Sequence, residues 1–368
     1  MTKRKTTNWP EVAAKLTAAF PRDALHPAVL AWVDARPVRE PWAVAFSGGA
    51  DSLALLLLLW AHWPERRDRL RVLHFNHKLR GRASDADEKF CRNVCAELGV
   101  KFVAGEWNAV GRALRPTRRG VGRKARPTGV ISEAEARTVR MEFFEKELRA
   151  ARCRALWFGH QMDDIAETLL MRLARGSGAG GLSAPRPVQL MPGGQVRLRP
   201  LLTWQKAGLA DALCAAGAAW REDESNATGD FFRNRIRRDV LPAWRAASPG
   251  RDALAGAALT RELLAEDDVA LEAWLDAVQP FTTDGALDVG RLAGKPRALI
   301  RRALHRWMSV QPGAGDLSRQ GFEALLASVQ HARPVRHSLG AQGFAIIRRG
   351  RLVYETCKRT NKKAGRLN

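Results

Sequence analysis

Acid and paired cysteine are the two things this chain of 368 residues has little of. Its 38 acidic residues face 61 lysines and arginines, leaving a formal charge of +23 and a pI near 11.0. Such a field attracts polyanions and weakens as salt rises, so a nucleic acid is the expected partner. The five cysteines, Cys91, Cys95, Cys153, Cys214 and Cys357, are odd in number and contain no Cys-x-x-Cys spacing, which removes the usual grounds for a redox or iron–sulfur role. Cys91 and Cys95 lie one helical turn apart in an amphipathic stretch and read as buried thiols. Long apolar runs are missing too. The longest, Leu53 to Trp60, is far short of the roughly 20 residues that span a bilayer. The basic start, Met1 to Lys5, runs into a segment broken by Glu11 and Lys15, so no secretory signal is expected and the chain reads as cytoplasmic, with no membrane partner. No segment repeats at a fixed period.

Hydrophobic residues make up 46% of the chain, enough for packed cores, and the length exceeds what one core usually supports. Residues 1–38 carry four prolines and no recognisable chemistry, and are expected to be an extension packed on the first domain. Residues 39–220 alternate short apolar runs with longer helical ones. Strands are expected at Leu70–Phe75, Lys101–Ala104 and Ala155–Phe158, and helices at Ser84–Leu98, Ser132–Arg149 and Asp163–Leu173. That alternation predicts an α/β domain, a parallel sheet with helices on both faces. A proline-rich crossing (Pro185, Pro187, Pro192, Pro200) and a helix from about Gln205 complete it. Residues 221–248 read as a linker helix. Residues 249–356 are rich in Ala, Leu and Arg with helical spacing over 253–278, 296–310 and 318–329, ending in strand-like pieces near 345–347 and 352–354. Residues 357–368 read as a disordered basic tail.

The first domain is organised around Trp42-Ala-Val-Ala-Phe-Ser-Gly-Gly-Ala-Asp-Ser52 and the apolar run behind it, which reads as strand, tight turn, helix. Paired glycines let backbone N–H groups come close to a ligand, and the helix start adds further N–H groups and its positive dipole end. Ser47 and Ser52 add hydroxyls, and Asp51 can hold a divalent metal beside phosphates. Ser47, Gly48, Gly49, Ala50, Asp51 and Ser52 are therefore the candidate pyrophosphate loop. No lysine follows the glycines, so this is not the loop of the common NTPases.

Ligands of such sheets sit beyond the carboxyl ends of the strands, at a switch in strand order. Two further polar loops are expected there, His74-Phe-Asn-His77 after the second strand and Gly159-His-Gln-Met-Asp-Asp164 after the fourth. His160 and Asp164 are spaced i, i+4 and share a face if the helix starts at His160. Glu133, Arg137 and Arg140 share one face of their helix. Arg233, Arg235 and Arg237 recur at i, i+2, i+4, so only the outer two share a face. Between Gly111 and Gly129 lie Arg112, Arg115, Arg118, Arg119, Arg123, Lys124 and Arg126 with no acid, a loop suited either to a phosphate backbone or to water.

Ser47-Gly-Gly-Ala-Asp-Ser52 resembles the signature of the PP-loop family of ATP pyrophosphatases. Four more stretches resemble one branch of it, the tRNA(Ile)-lysidine synthetases: His74–Arg80, Glu133–Arg140, Gly159–Thr168 with Arg175–Leu182, and Glu222–Asn226 with Arg233–Arg237. The resemblance covers about residues 42–242. It implies a Rossmann-like PP-loop domain that uses ATP and Mg²⁺ to adenylate the C2 oxygen of the wobble cytidine of a CAU anticodon in tRNA(Ile), and that then adds free L-lysine through its ε-amine. It further implies Asp51 and Asp164 as metal and activation carboxylates with His160 beside them, Arg140 on the phosphates or adenylate, and Arg237 as the catalytic cation. Glu133 is implied in recognising the cytidine, and Arg137, Arg233 and Arg235 belong to the substrate and tRNA side. Met141 stands where the family usually has Tyr. Glu167 and Thr168 are assigned only to packing. A PP-loop tRNA thiolase and a non-catalytic basic RNA-binding protein are the alternatives. Oligomeric state is open, a homodimer being one arrangement.

Overall fold

The structure, a computed structural model, describes residues 7–78, 81–107, 133–222, 232–312, 317–340 and 343–357, the side chains of Glu133 and Ala134 excepted. The basic stretch 111–129, most of the acidic turn 222–226 and the tail 358–368 lie outside the described residues. Two compact units emerge, one of described residues up to Ala265 and one from Glu266 onward.

In the first unit, helices α1 (Trp9–Ala19) and α2 (Pro27–Asp34) precede β1 (Trp42–Ala45), α3 (Ala50–His62), β2 (Leu70–Asn76), α4 (Arg82–Glu97) and β3 (Lys101–Glu106). Then come α5 (Glu133–Ala150), β4 (Ala155–Trp157), α6 (Met162–Leu173), β5 (Val188–Leu190), β6 (Val196–Leu198) and α7 (Lys206–Ala215). The sheet order is β3-β2-β1-β4-β6-β5. Every pairing is parallel except β5 with β6. Strand order reverses between β1 and β4, so the loops after these two strands diverge and open a crevice there.

The period-2 pattern of β1 divides the core. Trp42 and Val44 face the cluster containing α1, α3 and α7, while Ala43 packs with Leu73, Leu156 and the α5 residues Phe144 and Leu148 on the other face. Helix α3 is buried all round over Leu53–Leu59 because the sheet lies on one side and other helices cover the rest. Its unbroken leucine run is thus a central helix, and no helix among the described residues is long and apolar enough to cross a membrane. The expected parallel sheet is present, and the proline-rich crossing adds the short strands β5 and β6 to it. The N-terminal segment packs its two helices into the main core. After α7, a helical segment is built of α8 (Phe232–Arg235), a π-helical turn (Ile236–Val240) and α9 (Leu241–Ala246).

Helix α10 (Ala253–Val278) contributes residues to both units. In the second unit, β7 (Leu287–Asp288), α11 (Arg297–Ser309), α12 (Arg319–Gln330), β8 (Val335–Ser338), β9 (Gly343–Arg348) and β10 (Arg351–Thr356) enclose a separate core around Trp307, Leu304 and Leu326. The antiparallel sheet is ordered β7-β10-β9-β8, so the two strand-like pieces read from sequence are the central hairpin of four strands. The arginines of α11 are engaged within this unit. Arg302 pairs with Asp268 and Glu272, Arg306 with Asp276, and Arg297 and Arg301 with Glu323.

Candidate active site

The loop after β1 is held by its own hydroxyls. Ser52 Oγ donates to the Gly49 carbonyl at 3.0 Å and accepts from the Ser47 N–H at 3.2 Å. With the Ser52 proton so used, the 3.0 Å contact between the two hydroxyls is a bond donated by Ser47. The serines thus shape the loop, and the N–H groups opening α3 are the donors left for a ligand; Gly49 caps that helix without a side-chain bond. Gly48 adopts φ +92°, and a Cβ there would meet Cys91 Sγ at 3.1 Å. Three outside groups pin the turn. The Arg221 N–H donates to the Gly48 carbonyl at 2.9 Å, its guanidinium pairs with Asp87 at 2.7 Å, and His74 Nδ1–H donates to the Phe46 carbonyl at 2.9 Å. His74 is therefore not in a loop. Strand β2 extends to Asn76, so His74 and Asn76 are buried strand residues, and burial lowers the His74 pKa below its usual range.

The loop after β4 abuts this turn. Gly159 fits because it lacks a side chain: a Cβ would lie 2.6 Å from the Asp51 carbonyl oxygen and 3.0 Å from the Ser52 nitrogen. Gly159→Ala must push the two loops apart, and we expect a loss of roughly 10- to 100-fold in ATP-dependent pyrophosphate release. Gly208→Ala, which meets no atom within 4 Å in α7, should leave that rate unchanged.

Helix α6 begins at Met162, not His160. Gln161 is its cap, accepting from the Asp163 N–H at 2.5 Å, while Asp164 Oδ2 accepts from the Gln161 N–H at 3.0 Å in a reciprocal capping box. The i, i+4 argument for His160 therefore fails, since that residue precedes the helix. Its ring lies 5.5 Å from Phe158, and Nδ1 accepts from Arg199 Nε at 3.1 Å. Burial holds its pKa well below the usual range, reinforced by Arg199, Arg233, Arg137 and Arg140. His160 is thus neutral at physiological pH.

Glu167 is the hub that sequence reasoning assigned to packing. It is 1% exposed and receives Arg233 Nε at 2.6 Å, Arg237 Nε at 2.6 Å and a second Arg237 nitrogen at 3.0 Å. Arg233 also pairs with Asp164. Arg233 and Arg237 reach the same carboxylate as their spacing predicts, although Arg237 sits in the π-helical turn. Arg235 is exposed, its guanidinium 5.8 Å from the Phe232 ring.

Asp51 faces the cluster from α3. Burial, and then the charge of Asp164, push its pKa up to about 6, against the opposing pull of Lys206 and Arg237. Its Oδ1 is buried with no hydrogen-bond partner among the described residues. A divalent cation fits these groups. It would satisfy the orphaned oxygen and relieve the repulsion between carboxylates, and Mg²⁺ is commonly held by one or two carboxylates with phosphates completing its shell. No group of three or more His, Cys, Asp or Glu among the described residues could hold a metal unaided. Arg137 is exposed and Arg140 half-buried on α5, both close enough to bear on His160. Glu133 opens that helix, but its side chain lies outside the described residues.

Three residues missed by sequence reading, Arg199, Lys206 and Glu167, join the site. A sulfur-transfer site would need a thiolate. Cys91, Cys95 and Cys153 are buried, and burial pushes each thiol up, so none is nucleophilic at neutral pH. Cys214 and Cys357 are exposed, Cys214 on α7.

A PP-loop domain family matches residues 28–244, the whole of the sheet and both crevice loops. Among curated proteins, the tRNA(Ile)-lysidine synthase of Geobacter sulfurreducens is 39% identical over 288 residues, covering 76% of this chain and 56% of that protein. Those of Azoarcus sp. and Xanthomonas campestris pv. campestris are each 36% identical, over 301 and 316 residues, covering 80% and 84% of this chain and 61% and 67% of theirs. The chain thus spans a little over half to two thirds of the length of these relatives. With a matched PP-loop domain over more than half of its residues, the chain belongs to the PP-loop family and, within it, to the group of the tRNA(Ile)-lysidine synthases.

Proposed function

We propose that the chain is an ATP-dependent ligase that joins lysine to C2 of the wobble cytidine, position 34, in the CAU anticodon of tRNA(Ile). The observation that carries this reading is the meeting of Asp51, Asp164, His160 and the Glu167-bound arginines at the β1–β4 switch, in a chain similar to proteins of that name.

The N–H groups opening α3 and the Gly48–Gly49 turn hold the β- and γ-phosphates of ATP. Asp51 and Asp164 would hold Mg²⁺, which when bound neutralises phosphate charge that would repel an oxygen nucleophile. Arg233 and Arg237, oriented by Glu167, stabilise charge growing on the leaving pyrophosphate. Arg140 serves the phosphates or the adenylate, and Glu133, with Arg137 near it, serves the target base. The cytidine C2 oxygen attacks the α-phosphorus, the bond to the bridging oxygen breaks and pyrophosphate leaves. The lysine ε-amine then attacks C2, loses a proton, and AMP departs. A base must leave its stack to reach this crevice, and the basic charge of the chain favours the phosphate backbone carrying it. Residues 249–356 are the proposed tRNA-gripping part. Because the α11 arginines are committed to acids, the exposed Arg333, Arg348 and Arg349 are better placed for phosphate contact.

Leaving out one reactant at a time tests the reaction order. Pyrophosphate release in the first turnover is expected to need ATP and the tRNA but not lysine, and lysine should then discharge AMP. Release that ignores the tRNA, or that requires sulfide, contradicts the reading.

A further inference from the structure

Among the described residues no carboxylate is bonded to Arg199, a buried cation. It follows β6, is 4% exposed, and distributes its donors over three neutral acceptors: His160 Nδ1 at 3.1 Å, the Arg186 carbonyl at 2.6 Å and Gln189 Oε1 at 3.0 Å. Its guanidinium carbon lies 5.7 Å from the centre of the Phe158 ring, which itself packs on His160. A cation stripped of water and bonded only to neutral groups is costly, so a site that keeps one gains something from its placement.

The chemistry of the His160 contact says what is gained. A guanidinium has donors only, so the ring nitrogen facing it must be the acceptor. A neutral imidazole that accepts at Nδ1 carries its proton at Nε2. That nitrogen then has no lone pair with which to take a proton, and it can only donate. The charged groups that bear most on the ring are cations, Arg199 beside β6, Arg233 on α8 and Arg137 and Arg140 on α5, and each disfavours a second proton.

We propose that Arg199 is a positioning residue that fixes His160 as the Nε2–H tautomer, so that His160 serves the site as a neutral hydrogen-bond donor to an anionic phosphate oxygen and not as a proton acceptor. The identity of that oxygen, on ATP or on the adenylate, rests on the function proposed above; the tautomer does not.

The test uses the full chain labelled with ¹⁵N at histidine, without ATP or RNA. The His160 signals, assigned by their loss in His160→Gln, should show an unprotonated nitrogen at Nδ1 and a protonated one at Nε2 at neutral pH. Arg199→Met, which fills the space without a donor, should mix the tautomers and lower kcat for pyrophosphate release by about 10- to 100-fold, with a smaller change in KM for ATP. Arg199→Lys keeps charge and a donor and should recover part of both effects. Gln189→Ala retains the arginine but removes one anchor, and should shift the tautomer in the same direction by less; it decides the matter if Arg199→Met fails to fold. A wild-type ring protonated at Nδ1, or a folded Arg199→Met or Gln189→Ala protein with both tautomer and kcat unchanged, overturns the proposal. The stated tautomer in a protein that adds no lysine to tRNA would instead sink the proposed function and leave this inference standing.

Discussion

Glu167→Leu is expected to lower the unfolding free energy by about 3 kcal/mol in urea titrations and to reduce pyrophosphate release by at least two orders of magnitude. A leucine would suit the buried position if Glu167 served packing alone, and such a replacement would then be neutral or stabilising. The structure gives Glu167 a different task. Its two oxygens receive Arg233 and Arg237, and removing them leaves both guanidinia partly buried without their main partner. Breaking a buried pair from one side costs about 3–5 kcal/mol. The lower end applies because the arginine side chains retain 24% and 30% of their exposure and can turn toward water. The activity loss has the same origin, since a cation that stabilises a leaving pyrophosphate must be held in place beforehand. Unchanged stability in Glu167→Leu would show that the arginines do not depend on it.

Asp51→Asn is expected to do opposite things to stability and activity. A carboxyl whose pKa is raised from 3.8 to about 6 holds its proton more tightly folded than unfolded. Between about pH 4 and 6 the folded state therefore binds more protons, and stability falls as pH rises through that window. Above pH 6 the whole penalty is present. Two pKa units correspond to roughly 3 kcal/mol, from which about 1 kcal/mol is subtracted because Asp51 also favours the start of α3. Asp51→Asn should accordingly stabilise the metal-free protein at pH 8 by about 1–2 kcal/mol, with little gain at pH 4, while reducing adenylation at least 10³-fold. Mg²⁺ with ATP should raise the melting temperature of the wild type more than that of the variant. A variant less stable than wild type at pH 8 would mean that Asp51 is not held against its own charge.

The local parts of the site were legible in the sequence and the convergent parts were not. The Ser47–Ser52 turn declares itself because glycines, serines and an aspartate must be contiguous to shape a phosphate loop. The order of strands and helices was legible for a similar reason, since period-2 runs such as Trp42–Ala45 and the amphipathic α4 carry their pattern locally. Glu167 lacked such a signal. Burial at 1% was inferable from its place on α6, but its partners lie 66 and 70 residues further along the chain. Arg199 comes from a proline-rich crossing whose three-residue strands show no periodicity and reaches the site only because β6 pairs with β4, while Lys206 opens the helix that follows. His74 belongs both to the strand Leu70–Phe75 and to the polar stretch His74–His77 read from the sequence, and the pattern carries no sign that its buried ring donates to the backbone of the turn after β1. In the second unit, the arginine surplus of α11 suggested a surface for RNA, yet acids contributed by α10 and α12 bind it.

The proposed reaction uses ATP in this crevice to place lysine on one cytidine. Nucleoside analysis of a CAU-anticodon tRNA(Ile) transcript, digested after incubation with the protein, ATP, Mg²⁺ and isotopically labelled lysine, tests it most directly. Labelled lysine is expected on the cytidine at position 34, absent when ATP is omitted and absent with Asp51→Asn protein. An unmodified cytidine with folded wild-type protein, or equal labelling by Asp51→Asn, would contradict it.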